Sequence, residues 1–199
     1  MVTDYTTRLN AGSFNRLGYW FAHLYVVGMC GVLAGGFYYQ FVKWEYPCPL
    51  CVLQRMFMML VAMGPAYIIA RGRKGRVDTR DYVTGYGIAI VSAVAGAMVS
   101  ARQILLHIVP PDPGYGGTVF GLHLYTWALI TFVLAIVAAG VMLVFCRETE
   151  PLDSDYTPIS AAVMWLFLAI IAANAVAVFL LEGFNWVLPD DPDRYEIFY

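Results

Sequence analysis

Two cysteines three residues apart, each preceded by a proline, open a hydrophobic run in the stretch YPCPLCVLQR, residues 46–55. Such a pair can close a disulfide and reopen it, and each sulfur is a nucleophile or metal ligand only as the thiolate. Pro49 suits the first turn of a helix, where a missing N–H costs nothing. That places Cys48 near the N-cap and Cys51 in the first turn, where free amides and the helix dipole favour a thiolate. Arg55 follows Cys51 by four residues, one turn deeper on the same face. A charge inside an apolar helix is costly and marks a functional candidate, suited to hold an anion, a carbonyl oxygen or the thiolate itself. Three plainer readings stand beside redox work. The pair can be half of a zinc site, although no second C-x-x-C or His pair accompanies it. It can be an inert structural disulfide. Arg55 can simply snorkel toward the lipid headgroups.

The elements that must position these residues are membrane helices. The 199-residue chain is 60% hydrophobic and 13% charged, with a mean hydropathy of +0.65, well below the charged fraction of about a quarter found in soluble domains. Five runs approach or exceed the roughly 20 apolar residues that cross a bilayer: about 17–42, 50–70, 82–106, 122–145 and 159–181. In lipid each must be a helix, because its backbone groups have no water to bond. No cleavable leader is expected from the polar, mixed first sixteen residues, and no basic stripe points to nucleic acid. Arg8, Arg16, Arg71, Arg73, Lys74, Arg76, Arg80 and Arg147 fall on one side of the spans, against Lys43 and Arg194 on the other. The N-terminus and the loops 71–81 and 146–158 are therefore expected to be cytoplasmic. The segment 43–49, the loop 107–121 and the acidic tail LPDDPDRYEIFY are expected outside. Trp20, Trp44 and Trp186 suit the membrane interface. The outer stretch PPDPGYGGT is expected to be irregular and surface-lying.

Other polar and sulfur residues have plain readings. His23, among the aromatics of the first span, is read as hydrogen-bonded across helices rather than as a ligand. His123 is read as interfacial, and Arg102 either snorkels or sets a local field. Met56, Met58, Met59 and Met63 are read as packing residues, not copper ligands. Cys30 and Cys146 are read as buried apolar packers, and RGRKGR as the determinant of orientation.

The stretch YYQFVKWEYPCPLCVLQR resembles the first periplasmic loop of the bacterial disulfide-bond-formation protein B (DsbB-like) family. SARQILLHIVPPD, residues 100–112, is similar to the end of that family's third span, and GLHLYTWAL, residues 121–129, to the start of its fourth. The resemblance covers about residues 30–145. It implies an all-α integral membrane fold, a four-helix bundle of the DsbB type, here with a fifth C-terminal transmembrane helix. It divides the chain into a cytoplasmic segment 1–16, a transmembrane redox domain 17–145, and a remainder 146–199 of cytoplasmic linker, fifth helix and outward tail. It implies a quinone-reducing protein of the bacterial inner membrane that reoxidises a periplasmic thioredoxin-like dithiol. Cys48 and Cys51 then match the redox pair, Cys51 meeting the quinone (ubiquinone or menaquinone) and Cys48 exchanging with other thiols. Arg55 matches the arginine at a quinone carbonyl. His107 matches a histidine lining the quinone site, its imidazole suited to proton transfer, and Leu124 an apolar quinone contact.

The chain departs from the family in one large respect. The second outward loop normally carries another cysteine pair, and here 107–121 contains none. A partner dithiol must then attack Cys48–Cys51 directly, or another protein must supply the pair. Membrane lipid is the remaining expected partner, and the fifth span can dock a larger complex or close the bundle against lipid. The leading expectation is a membrane thiol:quinone oxidoreductase. The alternative is a non-catalytic subunit of a larger membrane complex that keeps a structural disulfide.

Overall fold

The computed structural model describes residues 2–75, 77–148, 156–185, 189–190 and 192–198, with the helix path but not the side chains given for 2–16. Arg8, Arg16, Arg76 and Trp186 therefore lie outside what is described. Among the described residues five helices are long and apolar enough to cross a membrane. They are α1 (Val2–Val42, its apolar part from Leu17), α2 (Pro49–Gly72), α3 (Thr79–Leu106), α4 (Leu124–Val144) and α5 (Pro158–Glu182). The expected spans and the all-α membrane class hold to within a few residues at each end.

The helix starts are encoded locally. Asp78 caps α3 through a reciprocal capping box with Asp81, and Thr157 caps α5 in the same way with Ser160. The link between α2 and α3 is locked by Asp81, whose Oδ1 accepts from Arg71 Nε at 2.8 Å and from the Tyr67 hydroxyl at 3.0 Å. The stretch PPDPGYGGT is irregular as expected up to its last residue, where Thr118–Val119 (β1) pairs antiparallel with Leu122–His123 (β2), and α4 starts two residues later than expected. The hairpin closes because Gly121 supplies a φ of 79° beside Phe120 at 50°.

Packing is tightest between α2 and α3. A Cβ at Gly64 would sit 2.1 Å from the Gly85 carbonyl oxygen, so only glycine lets these backbones meet. The α1 helix joins the others by hydrogen bonds. The Tyr19 hydroxyl donates to the Ile69 carbonyl of α2 at 3.2 Å, and the Tyr25 hydroxyl to the Ala135 carbonyl of α4 at 2.9 Å. His23 bonds the Tyr19 carbonyl and, at 2.8 Å, the Ser160 hydroxyl of α5. The cross-helix reading of His23 is thus what the structure shows, and it fixes the fifth helix against the first. Cys30 and Cys146 are buried in the core, as expected.

Two outcomes follow for stability. Gly64→Ala forces α2 from α3 and should cost on the order of 1–3 kcal/mol, read as a lower melting temperature in detergent; an unchanged melt would contradict the close contact. Ser160→Ala leaves a ring nitrogen of His23 unpaired and removes half of the α5 cap. It should cost about 1 kcal/mol and expose the α5 connection to protease earlier in a denaturant series than in the unaltered protein.

Candidate functional site

After α1 the chain turns through Trp44, in left-handed backbone at φ 59°, and starts α2 at Pro49. Cys48 is the N-cap, with extended backbone, and its sulfur accepts the Cys51 N–H at 3.2 Å. This one-turn geometry brings the two Sγ atoms to 2.8 Å, with both cysteines as free thiols. Cys48 is 5% exposed, while Cys51 is half-buried.

Cys51 opens into a cavity of about 200 Å³ between α1, α2, α4 and the outer loop. Arg55 shares the wall with it. The guanidinium does not reach out to water. Its Nη1 donates to Gln40 Oε1 at 2.5 Å, its Nη2 to the Gly36 carbonyl at 3.0 Å, and its Cζ stands 5.6 Å from the Phe37 ring centroid. The snorkelling reading therefore fails. Among the described residues no carboxylate pairs with Arg55. The rest of the wall is largely apolar and aromatic, including Leu33, Tyr39, Met58, Leu124, Tyr125 and Trp127, with Glu45, Gln54 and Thr131 among its polar members. A wider, shallower groove along 98–106 carries Arg102 but no cysteine, so it has no redox group to serve.

The outer loop forms the roof. The Tyr115 hydroxyl donates to the Tyr46 carbonyl at 2.7 Å, and the Gly117 N–H donates to Glu45 Oε2 at 2.9 Å. Both bonds fasten the loop to the segment just before Cys48, and Tyr115 and Gly116 face the cavity. From the tail, the Tyr195 ring stacks on Phe41 at 6.3 Å and meets Tyr46 edge-on at 5.0 Å.

Of the residues singled out in the sequence, Cys51, Arg55 and Leu124 share the cavity wall, and Cys48 sits directly behind Cys51. His107 lies outside the wall. It is the C-cap of α3, its Nδ1 is 2.9 Å from Asp112 Oδ2, and its ring stacks on Tyr125 at 5.9 Å. The Gly114 N–H and then His107 hold the Asp112 carboxyl below the usual carboxylate range. Tyr125, on which His107 stacks, is itself part of the cavity wall. Sequence reasoning missed three glutamines: Gln40 at Arg55, Gln54 in the wall, and Gln103 of α3 against both sulfurs. Their signal was available, since an amide inside an apolar span must find a partner. No group of His, Cys, Asp and Glu suited to a metal ion occurs among the described residues.

The family described as "Disulfide bond formation protein DsbB" matches residues 18–116, which run from the apolar part of α1 through α3 into the outer loop. The chain is 31% identical over 142 residues to a "Disulfide bond formation protein B" of Burkholderia pseudomallei (strain 1106a), covering 56% of this chain and 81% of that one. It is 28% identical over 159 residues to a protein of the same name from Polaromonas naphthalenivorans (strain CJ2), covering 79% and 87%. It is 32% identical over 155 residues to "Disulfide bond formation protein B 1" of Pseudomonas fluorescens (strain Pf0-1), covering 61% and 88%. No solved structure matches the chain. With the PCPLC pair and its arginine at the head of the second of five membrane-length helices, these matches place the chain in the DsbB family of disulfide bond formation proteins.

Proposed function

We propose that the protein is a membrane thiol:quinone oxidoreductase, passing electrons from an external dithiol through the Cys48–Cys51 disulfide to a membrane quinone. The observation that carries this reading is the shared cavity. One sulfur of a C-x-x-C pair and one guanidinium that no carboxylate pairs among the described residues open into the same largely apolar, aromatic-walled space. That donor set fits a flat apolar acceptor with carbonyl oxygens. A quinone held there would supply the sink for the two electrons and two protons that the dithiol gives up as the Cys48–Cys51 disulfide re-forms. Arg55 is placed to hold a carbonyl oxygen and to stabilise negative charge building there. Gln40 and Gly36 keep the guanidinium in place beforehand. Leu124 supplies apolar wall, and His107, oriented by Asp112, serves proton exchange at the outer margin.

On the substrate side, a partner thiolate attacks Cys48, forms a mixed disulfide with it, and releases Cys51 as the thiolate in the first turn of α2. The partner's second thiol then displaces Cys48, leaving the partner oxidised and the Cys48–Cys51 pair reduced by two electrons. The partner is a thioredoxin-like periplasmic dithiol, or a protein that supplies the absent second cysteine pair. Because Cys48 is nearly covered, the partner must first loosen the roof that Tyr115 and Glu45 fasten. The cysteine end of α2 lies opposite Arg71, Arg73 and Lys74, and this charge bias supports a multi-pass inner-membrane protein with its N-terminus cytoplasmic and its C-terminus periplasmic. In this reading residues 17–145 carry the redox site, and 146–199 add the helix that docks on α1.

One observation favours a second reading, a non-catalytic subunit of a larger membrane complex: Cys48 is covered, and α5 leaves a broad apolar face including Trp165, Leu168 and Val176 outside the bundle.

Single-turnover quinone reduction tests the first reading. The reduced, detergent-solubilised protein is mixed anaerobically with a soluble ubiquinone analogue, and quinone absorbance and free thiols are followed together. One quinone should be consumed per two thiols lost. Cys51→Ser should abolish the reaction, and Arg55→Ala should slow it by about a hundredfold. A wild type that leaves both quinone and thiols intact would sink the oxidoreductase and leave the subunit reading.

A further inference from the structure

We propose that Gln103 of α3 is a positioning residue for the dithiol: its amide nitrogen holds both sulfurs and stabilises their reduced state over the disulfide. The proposal rests on the reading of Cys48–Cys51 as a redox pair, and it concerns how strongly oxidising that pair is.

Gln103 is 1% exposed, and a buried amide is costly unless bonded. Its Oε1 accepts from Gln54 Nε2 at 2.8 Å, one turn along α2 from the cysteines. That bond orients the amide, so Nε2 and its two hydrogens face the sulfurs. Nε2 lies 3.3 Å from Cys48 Sγ and 3.4 Å from Cys51 Sγ. The only other polar approach to this carboxamide from the pair is Cys51 Sγ to Oε1, at 3.9 Å. One nitrogen with two hydrogens can serve two sulfurs at once, and few side chains offer that. A thiolate accepts such hydrogen bonds far more strongly than a disulfide sulfur does, because bonds to charged groups are about twice as strong as neutral ones. Gln103 therefore lowers the free energy of the reduced pair relative to the oxidised one, which raises its reduction potential and makes its disulfide a better oxidant of an incoming dithiol. Gln54 acts one step back, by fixing which edge of Gln103 faces the sulfurs.

The test uses the full-length protein in detergent, without quinone, equilibrated with reduced and oxidised dithiothreitol. In that exchange the Cys48–Cys51 bond breaks and the ring disulfide of dithiothreitol forms, moving two electrons and two protons. Gln103→Met keeps the volume and removes the donor. It should shift the equilibrium toward the Cys48–Cys51 disulfide by about tenfold, equivalent to a potential about 30 mV lower, and reduce the 240 nm thiolate absorbance of the reduced protein at neutral pH. Gln54→Met should move both readouts in the same direction by less. If Gln103→Met fails to fold, Gln103→Asn, which keeps the amide but withdraws it by one methylene, should shift them the same way. A folded Gln103 variant with unmoved potential and absorbance would overturn the proposal and reduce Gln103 to a tie between α2 and α3. No quinone enters this assay. A shifted potential in a protein that turns over no quinone would therefore support Gln103's role while the oxidoreductase reading falls. An unmoved potential in a protein that does turn it over would overturn the role of Gln103 alone.

Discussion

A guanidinium set one turn below the cysteine end of a membrane-length helix, with no carboxylate partner among the described residues, constrains much of what surrounds it. Arg55 cannot be left bare in an apolar bundle, because an unpaired buried charge costs several kcal/mol. Among the described residues the structure answers with neutral acceptors, the Gln40 amide oxygen and the Gly36 carbonyl, and with the face of Phe37. Each of these belongs to α1. The outer half of α1 must therefore come close to α2, and at Gly36 an added Cβ would lie 3.3 Å from Arg55 Nε. Neutral partners orient the cation without cancelling its charge, so its field remains available to the cavity that it shares with Cys51.

The cysteines depend on a second local constraint, the start of α2. Cys48 as N-cap and Pro49 as first residue bring the sulfurs together without help from the rest of the fold. The surrounding helices then make the two sulfurs unequal. Gln103 of α3 closes over the pair from behind, the cavity opens before Cys51, and the outer loop is tied down next to Cys48 by Tyr115 and Gly117. Cys51 thus has access to the cavity and Cys48 is covered. This inequality suits a relay between a water-soluble thiol and a membrane acceptor, in which each sulfur has its own correspondent.

Much of this was legible in the sequence, for reasons that are local. Apolar length defines a span, Pro49 defines a helix start, and four-residue spacing puts Arg55 below Cys51. His23 was also legible in kind, because a polar ring in lipid must bond another helix; its partner, Ser160, was not, since it lies 137 residues away. The same non-local dependence hid the glutamines. Gln40, Gln54 and Gln103 look alike in sequence, each a single amide in an apolar stretch, and only the packed bundle turns one to the arginine, one into the wall and one to the sulfurs. His107 shows the converse. Its position at the end of α3 suggested the site, yet Asp112, five residues on, takes its ring, and Tyr125, on which it stacks, is the residue in the cavity wall. The buried state of Cys48 was equally invisible, because it depends on where the α3–α4 loop is fastened by Tyr115 and Gly117.

The central claim is that Cys51, not Cys48, faces the acceptor beside Arg55. Protection from alkylation tests it most directly. Each single-cysteine form of the pair, Cys48→Ser and Cys51→Ser, is treated with a small maleimide in detergent with and without a soluble quinone analogue. The account predicts that Cys51 reacts readily and is protected by the quinone, that Arg55→Leu weakens this protection, and that Cys48 reacts slowly whether or not quinone is present. Equal reactivity of the two cysteines, with no protection of Cys51, would contradict it.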